Sequence, residues 1–182
     1  MAKLNANLTL GVLVLCLCGL FAHASDKVYP AYQLPMNSPF SIKQIKETPP
    51  FLYFSGEISL RVKFRFDYVA WADPGFIELS LEPLANSVNV LPFLVERGRE
   101  ERPYLISVSN AQEAATLLLE KPLQQALLTG KQPSVIGEAE VSISQFGAGY
   151  ECDQAVFIAE ITLLLRQFQT PIAVDSRQQP GC

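Results

Sequence analysis

Three separated stretches of this chain alternate apolar and polar residues with a period of two, which commits it to a mainly β fold. Residues 58–66 put Ile58, Leu60, Val62, Phe64 and Phe66 on one face and Ser59, Arg61, Lys63 and Arg65 on the other. That is the mark of a strand buried on one side only. Residues 76–82 and 135–143 repeat the pattern, with Leu79 and Leu81 in the first, Ala139 and Val141 in the second. Residues 155–165 are almost wholly apolar apart from Glu160 and Thr162, which suits a strand covered on both faces.

The punctuation between these stretches is specific. Gly56 precedes the first long strand and predicts a bulge or bend. Asp73-Pro74-Gly75 predicts a turn, since Pro presets φ and Gly accepts positive φ, and Pro83 stops the second strand. The third region is less regular: residues 90–95 are interrupted by Pro92, and 104–108 is the segment predicted as a strand. Between them, residues 96–102 hold six charges of mixed sign, the composition of a solvated loop. Ser109 and Asn110 offer a helix N-cap, Glu113 an acidic first turn and Gly130 a stop. Pro122, inside that helical stretch, should kink the helix or split it. Gly147 and Gly149 predict a loop before the last strand.

Three strands, a helix, then two strands resembles the OB-fold, a five-stranded Greek-key barrel with its helix between strands three and four. The resemblance spans residues 51–168 and rests on element order, the glycine-bent first strand and Val135-Ile136-Gly137-Glu138 opening strand four. It brings no functional motif, so it assigns no functional residue. An open α+β sandwich of the same elements is the alternative. Residues 25–50, with five prolines among polar residues, read as an extended leader, and 169–182 as a polar tail.

The amino terminus reads as a secretory signal peptide over residues 1–24. Lys3 is followed by an apolar run over 8–22 and by Ala22-His23-Ala24, an A-x-A pattern that predicts cleavage after Ala24. The run falls short of the roughly 20 residues a spanning helix needs, and no second one follows. The mature chain is therefore expected in the periplasm or outside the cell, without stable membrane insertion. Cys16 and Cys18 do not fit a lipid-anchor box, because Leu15 and Leu17 stand where a small residue is required.

Losing 24 of 182 residues leaves 158, one domain's worth of chain. It also removes Lys3, taking the basic residues from 14 to 13 against 18 acids, a net charge of −5. An acidic surface is a poor match for nucleic-acid backbones. The only histidine, His23, leaves with the signal. That excludes a Ser-His-Asp triad, a Cys-His pair and an imidazole-ligated metal, and no cofactor is expected. Cys152 and Cys182 remain, and an even pair in an exported chain predicts a disulfide. Closing about thirty residues stabilises by roughly 3.5 kcal/mol on the chain-entropy model and would tether the tail.

Candidate site residues fall in two groups. Arg61, Lys63 and Arg65 form a basic stripe near Tyr53, Phe54 and Trp71 in sequence, a pattern that can bind a polyanion. In an OB-like order, however, Glu78 and Glu82 flank the stripe on one side and Glu138 and Glu140 on the other, and cross-strand ion pairs then neutralise it. Tyr68, Trp71 and Asp73 belong to the segment joining strands one and two, which is aromatic where a plain hairpin needs two polar residues. It either anchors a partner, as Trp and Tyr commonly do, or folds over the end of the structure with Trp71 as a plug. Glu57, Glu78, Glu138, Glu140 and Asp153 supply carboxylates for glycoside hydrolysis, but spacing alone sets no pair across a cleft. The reading is a non-enzymatic binding module for another protein, of inhibitor or envelope-assembly type. A cell-envelope glycan is the alternative ligand, and a carboxylate hydrolase the third reading.

Overall fold

The computed structural model describes residues 31–47, 50–72 and 75–175. The fold is mainly β, and the helices are few and short. In chain order the elements are β1 (Ala31–Gln33), β2 (Ser41–Glu47), β3 (Pro50–Ser55), β4 (Glu57–Tyr68), β5 (Ile77–Pro83), α1 (Ala85–Val88), β6 (Phe93–Glu96), β7 (Arg99–Glu101), β8 (Ile106–Val108), α2 (Ala111–Leu118), α3 (Lys121–Leu128), β9 (Ser134–Glu151) and β10 (Gln154–Val174).

Five of these strands form a ring. β4 lies antiparallel between β5 and β9, β5 pairs antiparallel with β8, and β10 pairs antiparallel with β9 along its length. A short parallel contact of β8 with β10, Ser107 opposite Ile158 and Val108 opposite Ala159, completes the circuit. The ladder there is extended by a side chain. Asn110 donates Nδ2–H to the Ile161 carbonyl at 2.9 Å and accepts the Ile161 N–H at 3.0 Å. Asn110 occupies the N-cap position of α2 but makes no capping bond; its amide is spent on β10 instead.

The period-two faces point as their pattern requires. Leu60, Val62, Phe64 and Phe66 of β4 are buried with Leu79 and Leu81 of β5, Ile106 of β8, Val141 and Ile143 of β9, and Phe157 and Ile161 of β10. Each such side chain contributes roughly 1.5–3 kcal/mol through burial. The helical stretch splits at Pro122, which sits in the first turn of α3, where its missing N–H is harmless. α2 buries Ala111, Ala114, Ala115 and Leu118 against β5 and β10, while α3 buries Leu127 and packs on β4.

β9, with 18 residues, serves two partners on the edge away from β10. Its first part pairs with β4 and its last part with β3, through Phe51 opposite Gly149 and Tyr53 opposite Gly147. Gln145, at φ 50°, marks the bulge between the two parts. Gly56, at φ 134°, makes the matching break between β3 and β4, where a Cβ would lie 2.7 Å from the Pro39 carbonyl oxygen. Phe40, Phe54, Phe146 and Phe157 link the ring interior to this outer part, with ring centroids 5.5–6.1 Å apart.

Several expectations are corrected. Residues 25–50 are not all irregular: β1 and β2 lie among them, and β2 pairs with β3 as a sheet edge. Gly147 and Gly149 do not form a loop but lie inside β9, where a Cβ would meet Ile158 at 2.7 Å and Phe51 at 2.5 Å. Those residues are small because side chains lie on the strand, not because the chain turns. The charged stretch 96–102 is largely a hairpin, β6 and β7 around Arg97-Gly98, both at positive φ. Together with β1 it makes a separate three-stranded sheet. Tyr104 and Leu105 precede the third ring strand rather than belonging to it. β10 continues to Val174, so residues 169–174 are strand and not tail.

Candidate functional site

The basic stripe on β4 is met by acids from both neighbours. Register puts Arg61 opposite Glu140, and Lys63 opposite Glu138 on β9 and Glu82 on β5. Arg61 Nε donates to Glu138 Oε1 at 2.6 Å, and its guanidinium lies 4.1 Å from the Phe168 ring centre. Arg65 turns along its own strand to Asp67, with Nε–Oδ2 at 2.7 Å and Nη2–Oδ1 at 2.9 Å. Ser134 Oγ donates to the same Asp67 Oδ1 at 2.5 Å. Asp67 is 7% exposed and Ser134 fully buried, so these bonds satisfy polar groups that would otherwise be costly inside. The Asp67 bonds hold the Arg65 pKa above its ordinary range. Only Lys63 of the three cations makes no short ion pair among the described residues, and acids flank it on both sides.

The carboxylates do not converge. Glu57 accepts from Ser142 Oγ at 2.6 Å and Thr162 Oγ1 at 2.7 Å, tying β4, β9 and β10 together. The Ser142 bond first, then Thr162, holds its pKa below the usual carboxylate range. Glu138 is taken by Arg61. Of the five acids named from sequence, Asp153 alone lines the cavity described below.

The segment joining β4 to β5 has a fixed base and an open tip. Val69, 6% exposed, is the residue it buries. Val69 N–H donates to the Phe76 carbonyl at 3.1 Å, and Ala72 N–H to the Val69 carbonyl at 3.2 Å. Gln112 of α2 donates to the Gly75 carbonyl at 3.3 Å. Tyr68 is half-buried, its ring pressed on Gly130, where a Cβ would come within 2.8 Å. Trp71 is 72% exposed and Phe76 44%. Trp71 is therefore no plug; Val69 fills that place. Asp73 lies outside the described residues.

Sequence reasoning missed a cavity of about 400 Å³ between the β6–β7 hairpin and the start of β10, lined in part by Glu96, Glu101, Arg102, Tyr104, Tyr150 and Asp153. The Tyr150 hydroxyl is buried and has no hydrogen-bond partner among the described residues. Desolvation, with the negative charges of Glu96 and Glu101 behind it, raises its pKa. Arg102 is engaged elsewhere: it donates to Glu100 Oε2 at 2.7 and 3.0 Å and stacks 4.4 Å from the Phe93 ring centre. The available signal was Gly98, a two-residue turn former between Glu96 and Arg99. Beside the cavity, Cys152 and Asp153 form the turn between β9 and β10, at φ 47° and 60°. Cys152 is exposed and is the one cysteine among the described residues; Cys182, its expected partner, lies outside them.

Among the described residues no group of three or more His, Cys, Asp or Glu side chains is placed to hold a metal ion, and no helix is long and apolar enough to cross a membrane. No family model, curated protein or solved structure matches the chain.

Proposed function

We propose that this chain is an exported, non-catalytic binding module built on an OB-type barrel, and that it engages another protein through the Trp71 loop. The OB assignment draws support from the ring order β4-β5-β8-β10-β9, from its parallel β8–β10 contact, and from helices inserted between the third and fourth ring strands. The observation that carries the functional reading is Trp71, a large aromatic side chain 72% exposed on a loop whose base is hydrogen-bonded and buried. An exposed indole on a rigid support loses little conformational freedom on binding, and Trp is the residue most enriched among interface anchors. The stripe of Arg61, Lys63 and Arg65 serves the sheet rather than a polyanion. Export after cleavage behind Ala24, and a Cys152–Cys182 disulfide beside the β9–β10 turn, belong to the same reading.

Trp71 is the only tryptophan in the chain, so its fluorescence reports this site alone. Capture of envelope proteins on immobilised wild type and on Trp71→Ala should recover a partner with the first and lose it with the second. Truncating so exposed a side chain should leave stability within about 0.5 kcal/mol. Quenching by cell-wall glycan fragments, with no protein captured, would replace the protein partner by a sugar. A partner recovered equally by the variant would remove Trp71 from the interface.

A further inference from the structure

The cavity beside the β9–β10 turn is lined by three carboxylates, of Glu96, Glu101 and Asp153, against one guanidinium, of Arg102. On the β6–β7 hairpin, Leu94 stands opposite Glu101 and Glu96 opposite Arg99, so alternation puts Leu94, Glu96, Arg99 and Glu101 on one face. Leu94 is fully buried and Phe93, on the opposite face, nearly so; beyond them Glu96, exposed, and Glu101, half-buried, line the cavity together with Tyr150. Asp153 adds a third carboxylate from the turn, and Tyr104, 68% exposed, supplies an aromatic ring at the rim. None of the three acids makes an ion pair among the described residues, Arg99 included. The one cation in the lining, Arg102, already holds Glu100 and the Phe93 ring. The Tyr150 hydroxyl is a fourth polar group without a partner, and it is buried.

We infer that this cavity is a binding site for an organic cation bearing guanidinium or ammonium groups. Three unpaired carboxylates repel one another, and a cation relieves that repulsion while donating to the Tyr150 oxygen. A single metal ion does not suit them, because they are not grouped to chelate one. A guanidinium, with five N–H donors in a planar fork, or a polyamine, with charges spread along a chain, reaches separated acceptors. Tyr104 offers such a group a cation–π contact. A cavity of about 400 Å³ holds a side chain of that size with water. The site is separate from the Trp71 loop and does not depend on the function proposed for it.

The test is a calorimetric titration of the purified exported protein with tetra-arginine, with the isosteric uncharged tetra-citrulline and with spermidine. Tetra-arginine or spermidine should bind at least tenfold tighter than tetra-citrulline, and whichever binds more tightly identifies the source as a basic peptide or a free polyamine. The double substitution Glu96→Gln with Glu101→Gln should weaken that binding at least tenfold. Glu113→Gln with Glu120→Gln, which changes the net charge equally on the helical side, should leave it unchanged. Tyr150→Phe, which removes only the hydroxyl, should weaken it about threefold, and Trp71→Ala should not alter it. Thermal melts of each variant establish that folding is intact. Equal weakening by the two glutamine pairs would reduce the binding to non-specific attraction by an acidic protein, and absence of binding by both cations would overturn the site.

Discussion

Removing the Asp67 carboxylate should be among the most damaging single changes outside the apolar core. In Asp67→Ala the Arg65 guanidinium loses a two-point partner held at 2.7 and 2.9 Å, and Ser134 Oγ loses the acceptor at 2.5 Å. Breaking a buried ion pair by deleting one partner costs about 3–5 kcal/mol, whereas an exposed pair is worth about 0–1 kcal/mol. This pair lies between those limits, with Asp67 10% and Arg65 26% exposed in their side chains. The fully buried Ser134 adds a hydroxyl with one bond fewer, about 1 kcal/mol. We therefore expect a loss of about 2–3 kcal/mol, or a melting temperature lower by roughly 5–10 °C for a domain of this size. Urea unfolding of the wild type, Asp67→Ala, Ser134→Ala and the double variant forms a cycle. The double variant should be less destabilised than the sum of the singles, because both remove the same bond. Arg65→Met with Asp67→Leu should recover most of the loss, since an apolar pair leaves no charge stranded. A loss under about 0.5 kcal/mol for Asp67→Ala would mean that the trio behaves as a solvated surface pair, and the argument from its burial would fail.

Gly149→Ala should cost about 1–3 kcal/mol by overpacking, because its Cβ would lie 2.5 Å from the Phe51 ring; denaturant midpoints measure it, and a neutral result would mean that Phe51 moves freely. Glu57, whose folded pKa is depressed by Ser142 and Thr162, should stabilise the fold at pH above its ordinary 4.5 and lose that contribution as pH falls through the lower folded value. Glu57→Gln should flatten this acid limb in melts taken from pH 6 to pH 3, and an unchanged limb would assign it to other groups. Mass spectrometry of exported protein should find Ser25 at the amino terminus, and Met1 or an attached lipid would refute the cleavage. Thiol titration of the denatured, unreduced protein should find no free cysteine, and two reactive thiols would remove the Cys152–Cys182 bond.

The legible parts of the fold were those governed by neighbours along the chain. Alternation at 58–66, 76–82 and 135–143 located β4, β5 and the first half of β9, because the side-chain period of a strand is a local property. Pro122 divided the helical stretch for an equally local reason, its missing N–H and fixed φ. Bracketing of Lys63 by Glu82 and Glu138 followed from element order combined with alternation. Reading failed where one residue type serves two purposes. Gly147 and Gly149 look like turn residues, yet they are small so that Ile158 and Phe51 can lie across β9. The actual turn falls on Cys152 and Asp153, which carry no glycine. Residues 96–102 look solvated because six of seven are charged, yet Gly98 folds them into a hairpin whose Glu96 and Glu101 share one face.

Sequence alone determined the mainly β character of this chain and the faces its strands present to the core. The tertiary structure decided that Trp71 is open to solvent while Val69 takes the buried place, that Arg65 is held by Asp67 and Ser134, and that a cavity forms beside Tyr150. Each of these depends on residues brought together from far apart in the chain, such as Asp67 with Ser134 and Gly75 with Gln112. Local periodicity sets which way a side chain points from its strand, but not which distant strand it meets; that is settled by register, bulges and the packing of the whole core.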